Sequence, residues 1–158
     1  MIGALLIAAA GGLLLSILAA GRAPRLWLAG VLAAAVGGLS ATVEVFLSGA
    51  VWDWQSVVRI GGEATHLRLD AVSALFLALL SLVGGTGAVY AGEYWTDRAH
   101  PHSAPRGRLW WSVLLLSLGL VLVAANGLHF LVAWEVFTVA AYFLVTLDRR
   151  HPEVRAAG

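Results

Sequence analysis

No cysteine occurs anywhere in the 158-residue chain, and every one of its 10 basic residues is arginine, because lysine is missing too. The absent thiols exclude a disulfide framework, thiolate-bound zinc, cysteine-ligated iron–sulfur clusters and a cysteine nucleophile. Charge is scarce as well. Only 12% of residues are charged, against about 25% in soluble domains. The net charge of +1 gives no electrostatic reason to expect nucleic acid as a partner. What the sequence has in excess is apolar surface, with 60% hydrophobic residues and a mean hydropathy of +0.86. Disorder is excluded by the same figures, and the composition is that of a membrane protein.

A helix that crosses a bilayer needs about 20 mostly apolar residues, since the hydrocarbon core is about 30 Å thick and each residue rises about 1.5 Å. Five stretches meet that length, at residues 2–20, 25–48, 69–94, 109–125 and 128–147. They leave no room for a soluble domain. Lipid requires a backbone satisfied within its own segment, and these runs are too long and too uniformly apolar for barrel strands. The pattern therefore predicts an all-α, polytopic transmembrane helix bundle of five spans, a single domain over residues 1–158. The first run is not a secretory signal, because its basic residues, Arg22 and Arg25, follow the apolar stretch instead of preceding it. Arg22, Arg25, Arg98, Arg106, Arg108, Arg149, Arg150 and Arg155 fall on one side of the membrane and only Arg59 and Arg68 on the other. The positive-inside rule then puts the N-terminus outside and the C-terminus in the cytoplasm.

Among the connections, the outer one at residues 49–68 carries the pair Gly61-Gly62 between two strand-like runs at 56–60 and 63–69, a pattern that predicts a small external hairpin. The inner connection at 95–108 holds His100, Pro101, His102, Pro105 and three arginines and reads as a solvated loop. Two histidines with no third ligand at suitable spacing do not make a metal centre, so none is expected. Asn126-Gly127 reads as a left-handed cap that ends the fourth helix and returns the chain as a tight antiparallel pair. Gly84-Gly85-Thr86-Gly87 lies within a span, which marks it as small-residue helix packing and not a phosphate loop.

Four acidic residues fall inside the predicted spans. Asp70 opens the third helix and suits an N-cap, while Glu93 sits at the inner interface beside Tyr94 and Trp95. Glu44 lies one turn from the outer end of the second span, within reach of water. Both Glu44 and Asp70 stand as secondary candidates for a proton route. Glu135 is the principal one. It is about 10 Å below the outer boundary, too deep for a short carboxylate to reach water, and burial there disfavours the charged form. Thr138, Tyr142 and Thr146 return to its side of the helix at i+3, i+7 and i+11 and form one polar stripe toward the cytoplasm. This stripe reads either as a wettable half-path for protons or as hydroxyls bonded back to their own helix. Glu135 itself reads as a proton relay or as neutral interhelical glue. No catalytic residue can be placed: His129 lies beside the Asn126-Gly127 turn with no serine on its helix, which leaves an intramembrane hydrolase without a nucleophile–base pair.

The segment Asn126-Gly127-Leu128-His129-Phe130-Leu131-Val132-Ala133-Trp134-Glu135-Val136-Phe137 resembles the fifth transmembrane helix of the antiporter-like membrane subunits shared by respiratory complex I, Mrp-type antiporters and group 4 membrane-bound hydrogenases. The run Leu69-Asp70-Ala71-Val72-Ser73-Ala74-Leu75-Phe76 is similar to the start of that family's third helix. Tyr142-Phe143-Leu144-Val145-Thr146 and Glu153-Val154-Arg155-Ala156-Ala157-Gly158 are most similar to the B component of hydrogenase-4 and its formate hydrogenlyase counterpart. The resemblance covers the chain from about Leu69 onward. It implies a multi-pass subunit of a bacterial or archaeal cytoplasmic membrane, partnered by other membrane subunits of a respiratory or hydrogenase complex and by the lipid bilayer. The translocated ion would be the proton or sodium. Glu135 would be the glutamate that tunes a lysine on a later helix, and that lysine has no counterpart here. Family members run to about fourteen helices, so the chain reads as the N-terminal portion of such a subunit, with Pro152 suited to open a further helix. Redox chemistry would belong to the partners, and no cofactor is expected in this chain. The competing reading is a small helical membrane scaffold or assembly protein without a transport role.

Overall fold

The structure is a computed structural model that describes residues 1–147. Arg149, Arg150, Pro152, Glu153 and Arg155, together with the resemblance drawn over 153–158, lie outside the described residues. Five helices and one hairpin follow in the order α1 (Ile2–Ala19), α2 (Pro24–Ser48), β1 (Trp52–Ile60), β2 (Glu63–Leu69), α3 (Ala71–Tyr94), α4 (Ala104–Val123) and α5 (Gly127–Val145). Each helix is long and apolar enough to cross a membrane, and the chain is a polytopic transmembrane helix bundle.

Local chemistry sets the helix ends. Pro24 opens α2 in its first turn, where the missing N–H has no partner to lose, and Gly49 closes it with a left-handed φ of 63°. Asp70 caps α3, its carboxylate accepting from the Ser73 N–H at 3.0 Å. The fourth helix begins at Ala104, earlier than the predicted 109, because Pro105 supplies an N-terminal start and the helix carries Arg106 and Arg108 within it. Part of the predicted inner loop is therefore helical.

The α4–α5 turn also differs from expectation. Asn126 is extended (φ −126°, ψ 133°) and caps the start of α5, its side-chain oxygen accepting from the N–H groups of Leu128 and His129. No left-handed residue is required there, because the connecting strand is held by the hairpin: Leu67 bridges Ala124, and the Ala125 N–H donates to the His66 carbonyl at 3.0 Å.

The first four helices form a ring, with α1 and α3 each packed on both α2 and α4, while α5 lies outside the ring against α4. Glycines permit the closest crossing. A Cβ on Gly12 would stand 2.7 Å from the Gly30 carbonyl oxygen, and one on Gly30 would stand 2.6 Å from that of Gly12. Along α3, Gly84 receives Leu115, Gly85 receives Ala35 and Gly87 receives Trp111, which is the small-residue packing read from this tetrad. The hairpin turns on Gly61 and Gly62, at φ 63° and 88°, as their pairing predicted. Its first strand extends back to Trp52, which pairs with Leu69, with an irregularity in register between Gln55 and Arg59. It lies over one end of the bundle, with Trp52 against Gly3 and Gly61 against Leu128. Beneath it Ile2, Val45, Leu69, Leu77 and Val123 form one buried cluster. A second, around Trp27, Val31, Ala88 and Leu115, fills the opposite end, where Arg22, Arg25, Arg98, Arg106 and Arg108 gather.

Candidate functional site

Helix α5 packs on the rest of the chain along one side only. Ala133 and Ala140 are buried in it, and near its inner end Phe143 stacks on Trp110 of α4 with ring centroids 4.2 Å apart. Two residues beyond Ala133, hence about 200° around the helix, Glu135 stands on the opposite, exposed side. It is the ninth residue of α5, about 12 Å along the axis from Gly127 at 1.5 Å per residue. Among the described residues no hydrogen-bond or ion-pair partner reaches its carboxyl group. Exposure here means exposure to whatever surrounds the bundle at that depth. A carboxyl group that faces hydrocarbon is costly.

Thr138 and Tyr142 lie on the same exposed side as Glu135, whereas Thr146 is buried at the C-cap of α5. Both threonine hydroxyls donate to their own helix, Thr138 Oγ1 to the Trp134 carbonyl at 3.0 Å and Thr146 Oγ1 to the Tyr142 carbonyl at 2.8 Å. Such hydroxyls keep lone pairs for accepting but have committed their protons to the backbone. The stripe is thus three exposed groups and one capping threonine.

The secondary candidates are held apart from it. Glu44 is half-buried on α2, whose principal neighbours are α1 and α3. Asp70 serves α3 as its cap, and the Ser73 N–H holds its carboxyl below the ordinary aspartate range, helped by the Ser73 hydroxyl and by Arg68 at 4.0 Å, against the opposing effect of partial burial. Glu93 is exposed near the end of α3, and His100 stacks on Trp95 with centroids 3.7 Å apart.

The burial of two side chains escaped the sequence reading. The first is Arg108, which is 8% exposed. Its guanidinium donates to the Ala20 carbonyl at 2.8 Å and to the Asp97 carboxylate at 2.7 Å. Around it the Trp27 indole donates to the Ser112 hydroxyl at 2.9 Å, and Ser16 donates to the same hydroxyl at 2.8 Å. The ends of α1, α2 and α4 and the inner connection meet in this network. Hydropathy could not reveal it, since an arginine at a span end ordinarily faces water. The second is His129, whose two ring nitrogens are buried with no hydrogen-bond partner among the described residues. The local hint was its place in the first turn of α5.

No family model matches the chain. It is similar to an uncharacterized protein of Mycobacterium tuberculosis, present in two strains, with 30% identity over 106 residues, a stretch that covers 65% of this chain and 16% of that protein. It is also similar to a Staphylococcus aureus protein named as a candidate antiporter subunit, mnhA2, with 30% identity over 80 residues, covering 51% of this chain and 10% of that protein. The matched stretch is thus a small fraction of each relative's length. The chain is a multi-pass membrane protein similar over half its length to an antiporter subunit.

Proposed function

We propose that the chain is part of a proton-translocating, antiporter-like membrane subunit working within a redox complex of the hydrogenase-4 and formate hydrogenlyase kind or of the NADH-quinone oxidoreductase kind. The observation that supports this reading best is the setting of Glu135, deep on α5, turned away from α4 and without a partner among the described residues. A carboxyl group at that depth is costly unless it lines an ion pathway or meets a polar partner. The fitting complement is a basic residue on another membrane segment, which would bias the proton on and off Glu135. Similarity to an antiporter subunit supports the same reading.

In this scheme the arginine-rich end faces the cytoplasm of a bacterium or archaeon, and the hairpin faces outward. Thr138 and Tyr142 extend the polar side of α5 inward from Glu135, and Thr146 finishes it at the helix end. Because the threonine protons are held by backbone carbonyls, the path between these groups runs through water that they bind and not along the hydroxyls themselves. The ion is the proton, with sodium as the coupled alternative. Electron transfer belongs to partner subunits.

The test is Glu135→Gln in the complex isolated from native membranes and reconstituted into vesicles. Proton translocation is expected to fall about a hundredfold, the scale of losing one proton-transfer group, while the amount of chain in the complex stays unchanged. Glu135→Asp should retain part of the rate. Full translocation by the glutamine variant would contradict the proposal.

A further inference from the structure

The ring of α1 to α4 does not fill its own centre. Between these helices lies a cavity of about 400 Å³, walled by residues such as Leu6, Leu13, Ala34, Leu80, Leu116 and Gly119 and roofed by Trp52 and Trp54 of the hairpin. On the α1 side it extends from Gly3 to Leu13, a length of about 15 Å at 1.5 Å per residue. Helix interiors rarely leave voids much larger than a water molecule, so a space of this size asks for an occupant.

Its shape and chemistry narrow the choice. Spread over that length, the volume corresponds to a channel about 9 Å wide between its wall surfaces once the radius of a water molecule is added on each side, whereas a helix with its side chains is about 10–12 Å across. Another helix cannot enter. Water fits by size, but an enclosed water needs about two to four polar partners. Among the described residues, the only polar side-chain groups on the wall are the Ser81 hydroxyl and the two indole N–H groups of the roof. A file of water along the cavity would therefore lack partners over most of its length. A single linear apolar chain satisfies both limits.

The cavity is also open where such a chain would come from. Ile7, 75% exposed, and Leu120, 43% exposed, stand on its rim on α1 and α4. The seam between these two helices is pinned toward the arginine-rich end by the Ser16–Ser112 hydrogen bond at 2.8 Å and by Arg108 on the Ala20 carbonyl. Toward the hairpin it is capped by Trp52 over Gly3. The opening thus lies sideways, at the depth of the lipid tails. Space inside is real, since a Cβ built on Gly119 meets no other atom within 4 Å.

From these observations we infer that the α1–α4 cavity is a binding site for one acyl chain of a phospholipid, entering laterally between α1 and α4. The inference is independent of the role given to Glu135.

The full chain, reconstituted in phosphatidylethanolamine and phosphatidylglycerol vesicles containing a phospholipid with a mid-chain diazirine, provides the test. After illumination, mass spectrometry is expected to find adducts on the wall residues Leu13 and Leu116 as well as on the outward-facing Leu18 and Val139. Gly119→Phe, which fills the cavity, should lower wall adducts about tenfold relative to those on Leu18 and Val139, since losing contact with about two methylenes is worth that factor. Ala10→Leu provides the same blockade if the phenylalanine variant does not fold. Leu116→Ala, which widens the space, should leave labelling of Leu13 intact. Wild-type labelling confined to the outward faces, or wall labelling unchanged in a folded cavity-filling variant, would overturn the inference.

Discussion

Arg108 shows how a residue's surroundings can invert what its type suggests. The side chain that helped to orient the spans by the positive-inside rule is buried, and its hydrogen bonds tie the last turn of α1 to the connection before α4. Removing it leaves the Ala20 carbonyl unsatisfied and frees Asp97, whose side chain is exposed enough to hydrate. Arg108→Ala should therefore cost about 2–3 kcal/mol, in the range for hydrogen bonds to charged groups. Asp97→Ala should cost about 1 kcal/mol or less, as for half-exposed ion pairs. Thermal unfolding of both variants in the same detergent checks the order, and equal losses would count against a hub centred on the arginine. Asp70 gives a pH signature of the opposite sort. Its folded carboxyl is held below the ordinary range by the Ser73 N–H, so its stabilising effect is whole above about pH 4 and fades as the pH falls through the lowered value. Asp70→Asn should flatten that acid limb in unfolding curves recorded between neutral and acid pH.

At the scale of elements, the seam between α1 and α2 rests on Gly12 and Gly30, where each backbone occupies the space a side chain would need. Gly30→Val should push the helices apart and cost about 1–3 kcal/mol, as overpacking does. Substitution of Gly11, whose would-be Cβ meets nothing within 4 Å, should be close to neutral. Melting temperatures of the two variants make the comparison. The elements themselves were largely legible in the sequence, because apolar runs of span length and a Gly-Gly turn are local signals. Asp70 as a cap was legible for the same reason, since the oxygen it offers and the Ser73 N–H it receives lie three residues apart. The misreadings have a common cause in distant contacts. Asn126 looked like a left-handed terminator until the hairpin, pairing through His66 and Leu67, supplied the hydrogen bonds of the turn. The start of α4 was placed too late because Arg106 and Arg108 read as loop residues. The partners that bury Arg108 include the carbonyl of Ala20, 88 residues away. Of the candidate site, the shared side of Glu135, Thr138 and Tyr142 followed from helical spacing, whereas the burial of Thr146 at the helix end did not.

Among the described residues the helices divide into a ring of four and an outlier, with the deep carboxyl group of Glu135 on the outlier's free side. Lipid could cover the apolar residues there, such as Leu131 and Val139, but gives Glu135 nothing to bond to. On the proposed reading α5 lies at an inner seam of a larger assembly, whereas in a self-standing scaffold α5 borders lipid. The most direct measurement is photo-crosslinking in native membranes from a benzophenone amino acid put in place of Val139, one turn from Glu135 on the exposed side, with the joined peptide sequenced by mass spectrometry. The expected result is a discrete product joined to another membrane-spanning segment that carries a basic residue in its apolar middle. Adducts to lipid alone, or to a segment with no basic residue at that depth, would contradict it.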